Sequence, residues 1–142
     1  MRILIINGPN LNLLGKREVN IYGSLSFEIF FDKLKSDYPF ISFDYFQSNI
    51  EGEIINKIQE AENKYDSLII NAGGYAHTSV AIADALAYLT IPSIDVHISN
   101  IFKRDDYRKT LLTAEKTYGS ITGFGLLSYK LAVEALISMN KY

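Results

Sequence analysis

The chain has 142 residues, of which 48% are hydrophobic and 21% charged, so its composition excludes a disordered, fibrous or repeat protein and is typical of one folded domain. Its formal net charge of −2 excludes the basic surface of a general nucleic-acid binder or of a polybasic membrane-surface protein. It has no cysteine, which excludes disulfides, a thiol nucleophile and cysteine-bound zinc, and we expect a small-molecule partner and a cytoplasmic location.

The apolar run at the N-terminus ends at Asn7 after four apolar residues, which is shorter than the ~7–15 residues of a secretory signal. No later segment approaches the ~18 uncharged apolar residues of a membrane span. We therefore expect neither a secretory leader nor a membrane anchor.

Short runs rich in Ile, Leu and Phe alternate along the chain with stretches of helical period, a pattern typical of a parallel α/β sheet. The predicted strands are Arg2 to Asn7, Ile41 to Phe46, Ser67 to Asn71, Ser93 to Val96 and Ser120 to Thr122.

Four helices are predicted between and after these strands. Apolar residues at helical spacing predict the first from about Ser26 to Ser36. Ser48 and Glu51 resemble a capping box before the second helix, and Thr78 or Ser79 can cap the third. Helical spacing predicts the buried positions of two of these helices. They are Ile54, Ile55, Ile58 and Ala61 in the second helix, and Leu126, Tyr129, Val133 and Leu136 in the C-terminal helix.

Five alternations of strand and helix with right-handed crossovers predict an open, doubly wound sheet in the flavodoxin-like order 2-1-3-4-5. Residues 1–142 contain no repeat, low-complexity tract or linker, so we expect a single domain. The segment from Gly8 to Ser24 has no clear period, and irregular segments of this length are typical of functional lids.

Ligands of such sheets bind beyond the carboxyl ends of the strands, near the point where the strand order reverses. His77 follows the third predicted strand and His97 the fourth, so both histidines of the chain are expected at this edge. Each is either a structural hydrogen-bonding residue or a catalyst. Gly73-Gly74 is either a tight turn or a close approach of backbone to a ligand.

Three charged positions also have two interpretations each. Arg104 and Arg108, four residues apart, form either a solvated helix face or a clamp on a carboxylate or hydroxyl group. Asp84, within an apolar helical run, lies either on an exposed face or at a subunit interface, since an unpaired buried carboxylate would be costly.

The irregular segment contains Arg17, Glu18 and Tyr22 between Gly15 and Gly23, which suits closure over a ligand. The Tyr22 ring either covers this edge of the sheet or acts as a base. Lowering a tyrosine pKa from ~10 to ~7 requires roughly 4 kcal/mol, and one cation at ~4 Å with an effective dielectric constant near 20 supplies about that much.

Several site classes are disfavoured. No Walker A motif occurs and no GxGxxG follows the first strand, which argues against a nucleotide fold. Asn7 and Asn71 stand where a phosphoacceptor receiver domain needs acids, and the two histidines lack partners at metal-ligand spacing.

The motifs at this edge resemble those of the type II 3-dehydroquinate dehydratases, in order and along essentially the whole chain. The matching segments are Asn7 to Gly15, Arg17-Glu18, Tyr22-Gly23, Asn71 to Gly74, His77 to Ser79, Val96 to Asn100 and Arg104 to Arg108. The resemblance implies a flavodoxin-like fold and the reversible conversion of 3-dehydroquinate to 3-dehydroshikimate through an enolate, a step of the shikimate pathway, without metal or cofactor.

The resemblance also implies residue roles. Tyr22 is the base at C2, with Arg17 lowering its pKa and shaping the lid, and Asn10 stabilises the enolate. His97 is the general acid for the C1 hydroxyl, with Asp95 beside it.

The implied substrate-binding and assembly roles are as follows. The backbone N–H groups of Ile98 and Ser99, together with the Ser99 hydroxyl, hold the carboxylate. The ring hydroxyls are bound by Asn71, His77 and Arg108. Asp84 reaches a neighbouring subunit's site in a dodecamer of four trimers.

The chain departs from the family pattern at a few positions. Val19-Asn20 replaces a common proline after Arg17-Glu18, and Asp95 stands where a glutamate is usual. Ala76 replaces a commoner hydroxyl residue, and the stretch 110–113 lacks the usual serine.

Three other functions share features of this interpretation. A flavodoxin-like FMN carrier would use the same crevice but lacks a hydroxyl-rich phosphate loop after the first strand. A ligand-binding protein without turnover would keep the same residues. A lysine-dependent dehydratase would form an imine with its substrate, but no lysine occurs among the residues predicted at the carboxyl edge of the sheet.

Overall fold

A computed structural model describes residues 1–16, 20 and 24–141 of the chain. Within them, five strands form one parallel sheet in the order β2-β1-β3-β4-β5. The strands are β1 (Arg2–Asn7), β2 (Ser42–Gln47), β3 (Ser67–Asn71), β4 (Ser93–His97) and β5 (Gly119–Thr122). The predicted α/β fold and strand order are thus confirmed, with each strand within one residue of its predicted bounds.

Four of the helices connect or follow these strands. They are α1 (Phe27–Asp37), α2 (Glu51–Lys64), α3 (Val80–Tyr88) and α4 (Leu127–Met139). None of the helices within the described ranges is long and apolar enough to cross a membrane.

The two faces of the sheet are covered by different helix pairs, as double winding requires. Alternate residues of β1 point to opposite faces: Ile3 and Ile5 pack in one cluster with α1 and α4, whereas Leu4 and Ile6 pack in another with α2 and α3. Because both faces are buried, β1 and β3 are continuously apolar from Ile3 to Ile6 and from Leu68 to Ile70 rather than alternating.

Of the two predicted hydroxyl caps, the one before α3 is confirmed and the one before α2 is wrong, while Ser26, for which no cap was predicted, caps α1. Ser26 accepts the N–H of Ile29 at 3.4 Å, and Ser79 accepts that of Ile82 at 2.9 Å. The predicted capping box between Ser48 and Glu51 is wrong: Ser48 lies two residues before the N-cap, accepts the N–H of Ile50 and donates to the carboxylate of Glu53.

Candidate active site

The strand order reverses between β1 and β3, and their carboxyl ends lie in direct contact. The Gly8 N–H donates to the Asn71 carbonyl at 2.7 Å. A Cβ at Gly8 would lie 2.4 Å from the carbonyl oxygen of Ala72, so only glycine allows this approach. The two connections that leave these strands therefore meet at one edge of the sheet.

A polar pocket lies at this edge. Its lining includes these predicted site residues: Asn10, Asn71, His77, His97, Ile98, Ser99, Arg104 and Arg108. Arg17, Glu18 and Tyr22, predicted to form the lid, lie outside the described residues. The structure thus brings together most of the predicted site, while Asp84 lies elsewhere.

His97, at the end of β4, contacts a fully buried carboxylate two residues earlier on the same face of the strand. Its Nε2 lies 2.7 Å from Oδ2 of Asp95, and both residues are buried. A carboxylate only accepts hydrogen bonds, so Nε2 carries the proton of this contact. The Nδ1 atom is then the ring nitrogen that can exchange a proton with a ligand.

His77 is fixed by a different acceptor and has the opposite tautomer. Its Nδ1 donates to the carbonyl of Thr110 at 2.8 Å. Burial lowers the pKa of His77 below its usual 6.5, and the charges of His97 and Arg108 lower it further. The neutral ring therefore has a lone pair on Nε2, and its centroid lies 6.1 Å from that of His97. His77 can accept a hydrogen bond from a ligand at Nε2, and Nδ1 of His97 can transfer a proton to a ligand when the His97 ring is protonated on both nitrogens.

A chain of buried hydrogen bonds supports the floor of the pocket. The Gly73 N–H donates to Oδ1 of Asn71 at 3.1 Å, which leaves Nδ2 of Asn71 to donate to the Tyr129 hydroxyl at 3.0 Å. Tyr129 then donates to Oδ1 of Asn7 at 2.7 Å. The helical period predicts burial of Tyr129 but carries no signal for this hydroxyl contact, which sequence reasoning missed.

Removing that hydroxyl is expected to cost stability. Tyr129→Phe leaves the side-chain N–H of Asn71 and the side-chain Oδ1 of Asn7 without their shared partner, and we expect a loss of ~1–3 kcal/mol in the free energy of unfolding. Urea unfolding measures it. Tyr118→Phe is the matched control because Tyr118 is 76% exposed, and an equal loss in both variants would contradict the network's role.

Arg104 and Arg108 reach the pocket by a different route from the predicted one. They do not share a helix face: Arg104 follows a 3-10 turn, Ile101–Lys103, and Arg108 lies in a second, Asp106–Lys109. The Nε atom of Arg108 is buried and has no hydrogen-bond partner among the described residues. An unpaired buried donor in a pocket is a position where a ligand oxygen is expected.

The loops after β1 and β3 have unusual backbone where they meet. Asn10 has a positive φ of 69°, and its N–H donates to Oδ1 of Asn49 at 3.0 Å. Gly73 also has a positive φ, and a Cβ there would lie 3.0 Å from the Pro9 carbonyl oxygen. The turn interpretation of Gly73 is thus supported, and both residues also line the pocket.

Asp84 lies on the exposed face of α3 and not among the lining residues. Of its two interpretations, the single chain places it on an exposed face, as an unpaired carboxylate in an apolar run requires.

A second hollow, at the amino ends of β1 and β2, is larger and more apolar. It measures about 410 Å³, and its lining includes Met1, Tyr38, Phe40 and Ile137, with Asp37 as the charged side chain. It has none of the acid–base groups of the first pocket, which is therefore the candidate active site.

Comparisons with known proteins agree with this site. A sequence model of the family described as Dehydroquinase class II matches residues 1–137. Proteins named 3-dehydroquinate dehydratase are 54% identical over 143 residues in Fusobacterium nucleatum and 49% over 138 in Clostridium botulinum; the alignments cover 96% of this chain and 97% and 94% of theirs. The crystal structure of a type II dehydroquinase from Butyrivibrio crossotus aligns with a TM-score of 0.93 at 46% identity, covering 96% of this chain and 97% of that chain.

The fold and the pocket define a flavodoxin-like α/β protein with an acid–base site at the carboxyl edge of its sheet. With the comparisons above, the chain belongs to the class II dehydroquinase family.

Proposed function

We propose that this chain is a hydro-lyase that converts 3-dehydroquinate to 3-dehydroshikimate reversibly, as a step of the shikimate pathway to aromatic amino acids. One observation carries the proposal: in a chain of this family, a proton-donating Asp95–His97 pair, a proton-accepting His77 and an unpaired donor of Arg108 line one pocket. Elimination of water is redox-neutral, and the proposed mechanism uses acid–base groups alone.

The reaction divides into two proton transfers. A base, proposed to be Tyr22, removes the C2 proton, and the electron pair moves to the ketone oxygen as an enolate. Asn10, which lines the pocket, stabilises that oxygen. The enolate then expels the C1 hydroxyl, which takes the Nδ1 proton of a His97 ring protonated on both nitrogens and leaves as water; the ring is left neutral, with its remaining proton on Nε2.

The base depends on residues outside the described part of the chain, so its support is the family resemblance and electrostatics. A guanidinium of Arg17 near the Tyr22 hydroxyl would stabilise the phenolate and lower the tyrosine pKa. Glu18, next to Arg17, would orient this lid.

The substrate's other groups match the remaining lining residues. The backbone N–H groups of Ile98 and Ser99 are proposed to hold the carboxylate, next to the Arg104 guanidinium, which contacts the Ser99 hydroxyl at 3.4 Å. Asn71, His77 and Arg108 are proposed to bind the ring hydroxyls.

The state of His77 makes this binding dependent on pH. Because the folded-state pKa of His77 is lowered, the ring is neutral at pH 7 and gains its proton only as the pH falls below 6.5. Protonation removes the Nε2 acceptor, so we expect the KM to rise as the pH falls. The measurement is KM against pH for the wild type and His77→Gln, whose amide does not titrate. An equally steep rise in both would contradict the role of His77.

The direct test of the function is turnover. The purified chain is mixed with 3-dehydroquinate in the presence of EDTA, and the ultraviolet absorbance of the conjugated product is followed. A steady rise supports the proposal. No rise from folded protein contradicts it, and measured binding without turnover would then identify a silent binding protein. Borohydride trapping of the substrate on the chain would instead identify the lysine-dependent reaction.

We further propose that residues 1–142 act as one catalytic domain in the cytoplasm and assemble as a dodecamer of four trimers, with Asp84 contacting a neighbour's site. The exposed position of Asp84 on α3 fits such a contact. In that assembly, Asp84→Ala is expected to raise the KM, whereas Glu51→Ala, an acidic residue at the start of α2, is not. Light scattering gives the assembly mass, and equal KM values for the two variants would contradict the contact.

A further inference from the structure

Asp95 is a fully buried carboxylate in the middle of the sheet, and its hydrogen-bonding capacity is well used. Oδ2 accepts from Nε2 of His97 at 2.7 Å and from the Ser120 hydroxyl at 2.8 Å, and Oδ1 accepts from the Thr113 hydroxyl at 2.7 Å. A buried charge without such partners would be strongly unfavourable. The two hydroxyl groups thus supply hydrogen bonds that the buried carboxylate cannot obtain from water.

The two hydroxyl groups come from different elements. The register of β4 and β5 places Ser120 opposite Asp95, so a short side chain at each position is enough for contact. Thr113 lies before the 3-10 turn Ala114–Lys116 and is completely buried. Ser120 is exposed, so water can replace its hydroxyl, but no such replacement is available for Thr113.

The carboxylate of Asp95 is consequently fixed in orientation. Thr113 holds Oδ1, so rotation of the Asp95 side chain away from His97 would break the Thr113 contact as well as that of the imidazole. The position of Nδ1 in the pocket follows from the ring orientation, because the ring is held through Nε2.

We infer that Thr113 is a positioning residue for the general acid, acting through Asp95 on His97, with Ser120 as a weaker second support. The inference rests on the proposed function, in which His97 protonates the leaving hydroxyl. Thr113 does not line the pocket, so its effect is expected on the proton-donation step and not on substrate binding.

The test compares substitutions that separate the hydroxyl from the shape of the side chain. Thr113→Val keeps the branched shape and removes the donor, and we expect kcat to fall roughly 10–100-fold with KM little changed. Thr113→Ser keeps the donor and should retain near wild-type kcat. Ser120→Ala should lower kcat less than Thr113→Val. Thr117→Val is the matched control. Thr117 follows the same 3-10 turn, and its hydroxyl contacts only backbone carbonyls in the described structure.

A second readout separates positioning from a general structural defect. Exchange of the C2 proton with solvent does not need the general acid, so Thr113→Val should retain it. In a His97→Ala background, Thr113→Val should cause no further loss of elimination. Wild-type kcat in Thr113→Val, an equal loss in Thr113→Ser, or a full additional loss in the His97→Ala background would each overturn the inference.

A third readout does not depend on activity. Ring-nitrogen NMR of the free protein should show the Nε2–H of His97 hydrogen-bonded to Asp95, and this signal should change in Thr113→Val but not in Thr117→Val. An unchanged signal would overturn the inference even if the proposed reaction were wrong. If Thr113→Val is too unstable to assay, Thr113→Ala removes the same hydroxyl and carries the same expectations.

Discussion

His97→Ala is expected to lower kcat for elimination by ~10²–10⁴-fold, the usual contribution of a positioned acid or base. The substitution removes the imidazole that Asp95 holds through Nε2, so the C1 hydroxyl would have to leave as hydroxide. Removal of the C2 proton is a separate step and should persist. NMR in deuterated water measures C2 exchange and product formation in one experiment.

His97→Gln makes this expectation more stringent. Its amide can still donate to Asp95, which keeps the buried carboxylate paired, but it supplies no acidic proton to the leaving group. We expect the same loss of elimination as for His97→Ala, with a free energy of unfolding closer to that of the wild type. Loss of C2 exchange together with elimination in both folded variants would contradict the separate role of His97.

Tyr22→Phe has the other large expected effect, and its pattern is different. Without the phenolate, neither C2 exchange nor elimination should proceed, because the enolate is never formed. We expect both rates to fall by ~10²–10⁴-fold. The rates are measured in the same deuterium experiment as those of His97→Ala.

Tyr118→Phe is the control for loss of a tyrosine hydroxyl, since Tyr118 is largely exposed and does not line the pocket. It should retain both rates. Near-normal C2 exchange in Tyr22→Phe would show that another group is the base.

The fold could be predicted because its determinants are local patterns of many residues. The continuous apolar strand from Ile3 to Ile6 and the helical period that begins at Phe27 each repeat a buried position several times. The predicted cap at Ser48 failed because one hydroxyl can bond either the N–H two residues on or the helix start, and three-dimensional geometry decides which.

The site could be predicted only where it follows from strand ends. His97 ends β4 and His77 ends the 3-10 turn that follows β3, so the topology places them together. Thr113 and Tyr129 reach the site from distant segments, and their hydroxyl contacts depend on register and helix packing. Arg108 was identified, but on a helix that the structure replaces with two 3-10 turns.

The most direct measurement is the crystal structure of His97→Ala with 3-dehydroquinate, because this variant should bind the substrate and not eliminate water. We predict the substrate carboxylate on the N–H groups of Ile98 and Ser99, its C1 hydroxyl toward the vacated imidazole position, and a ring hydroxyl on Arg108. Substrate bound in the apolar hollow near Tyr38, or reversed in the pocket with its carboxylate away from Ile98, would contradict the account.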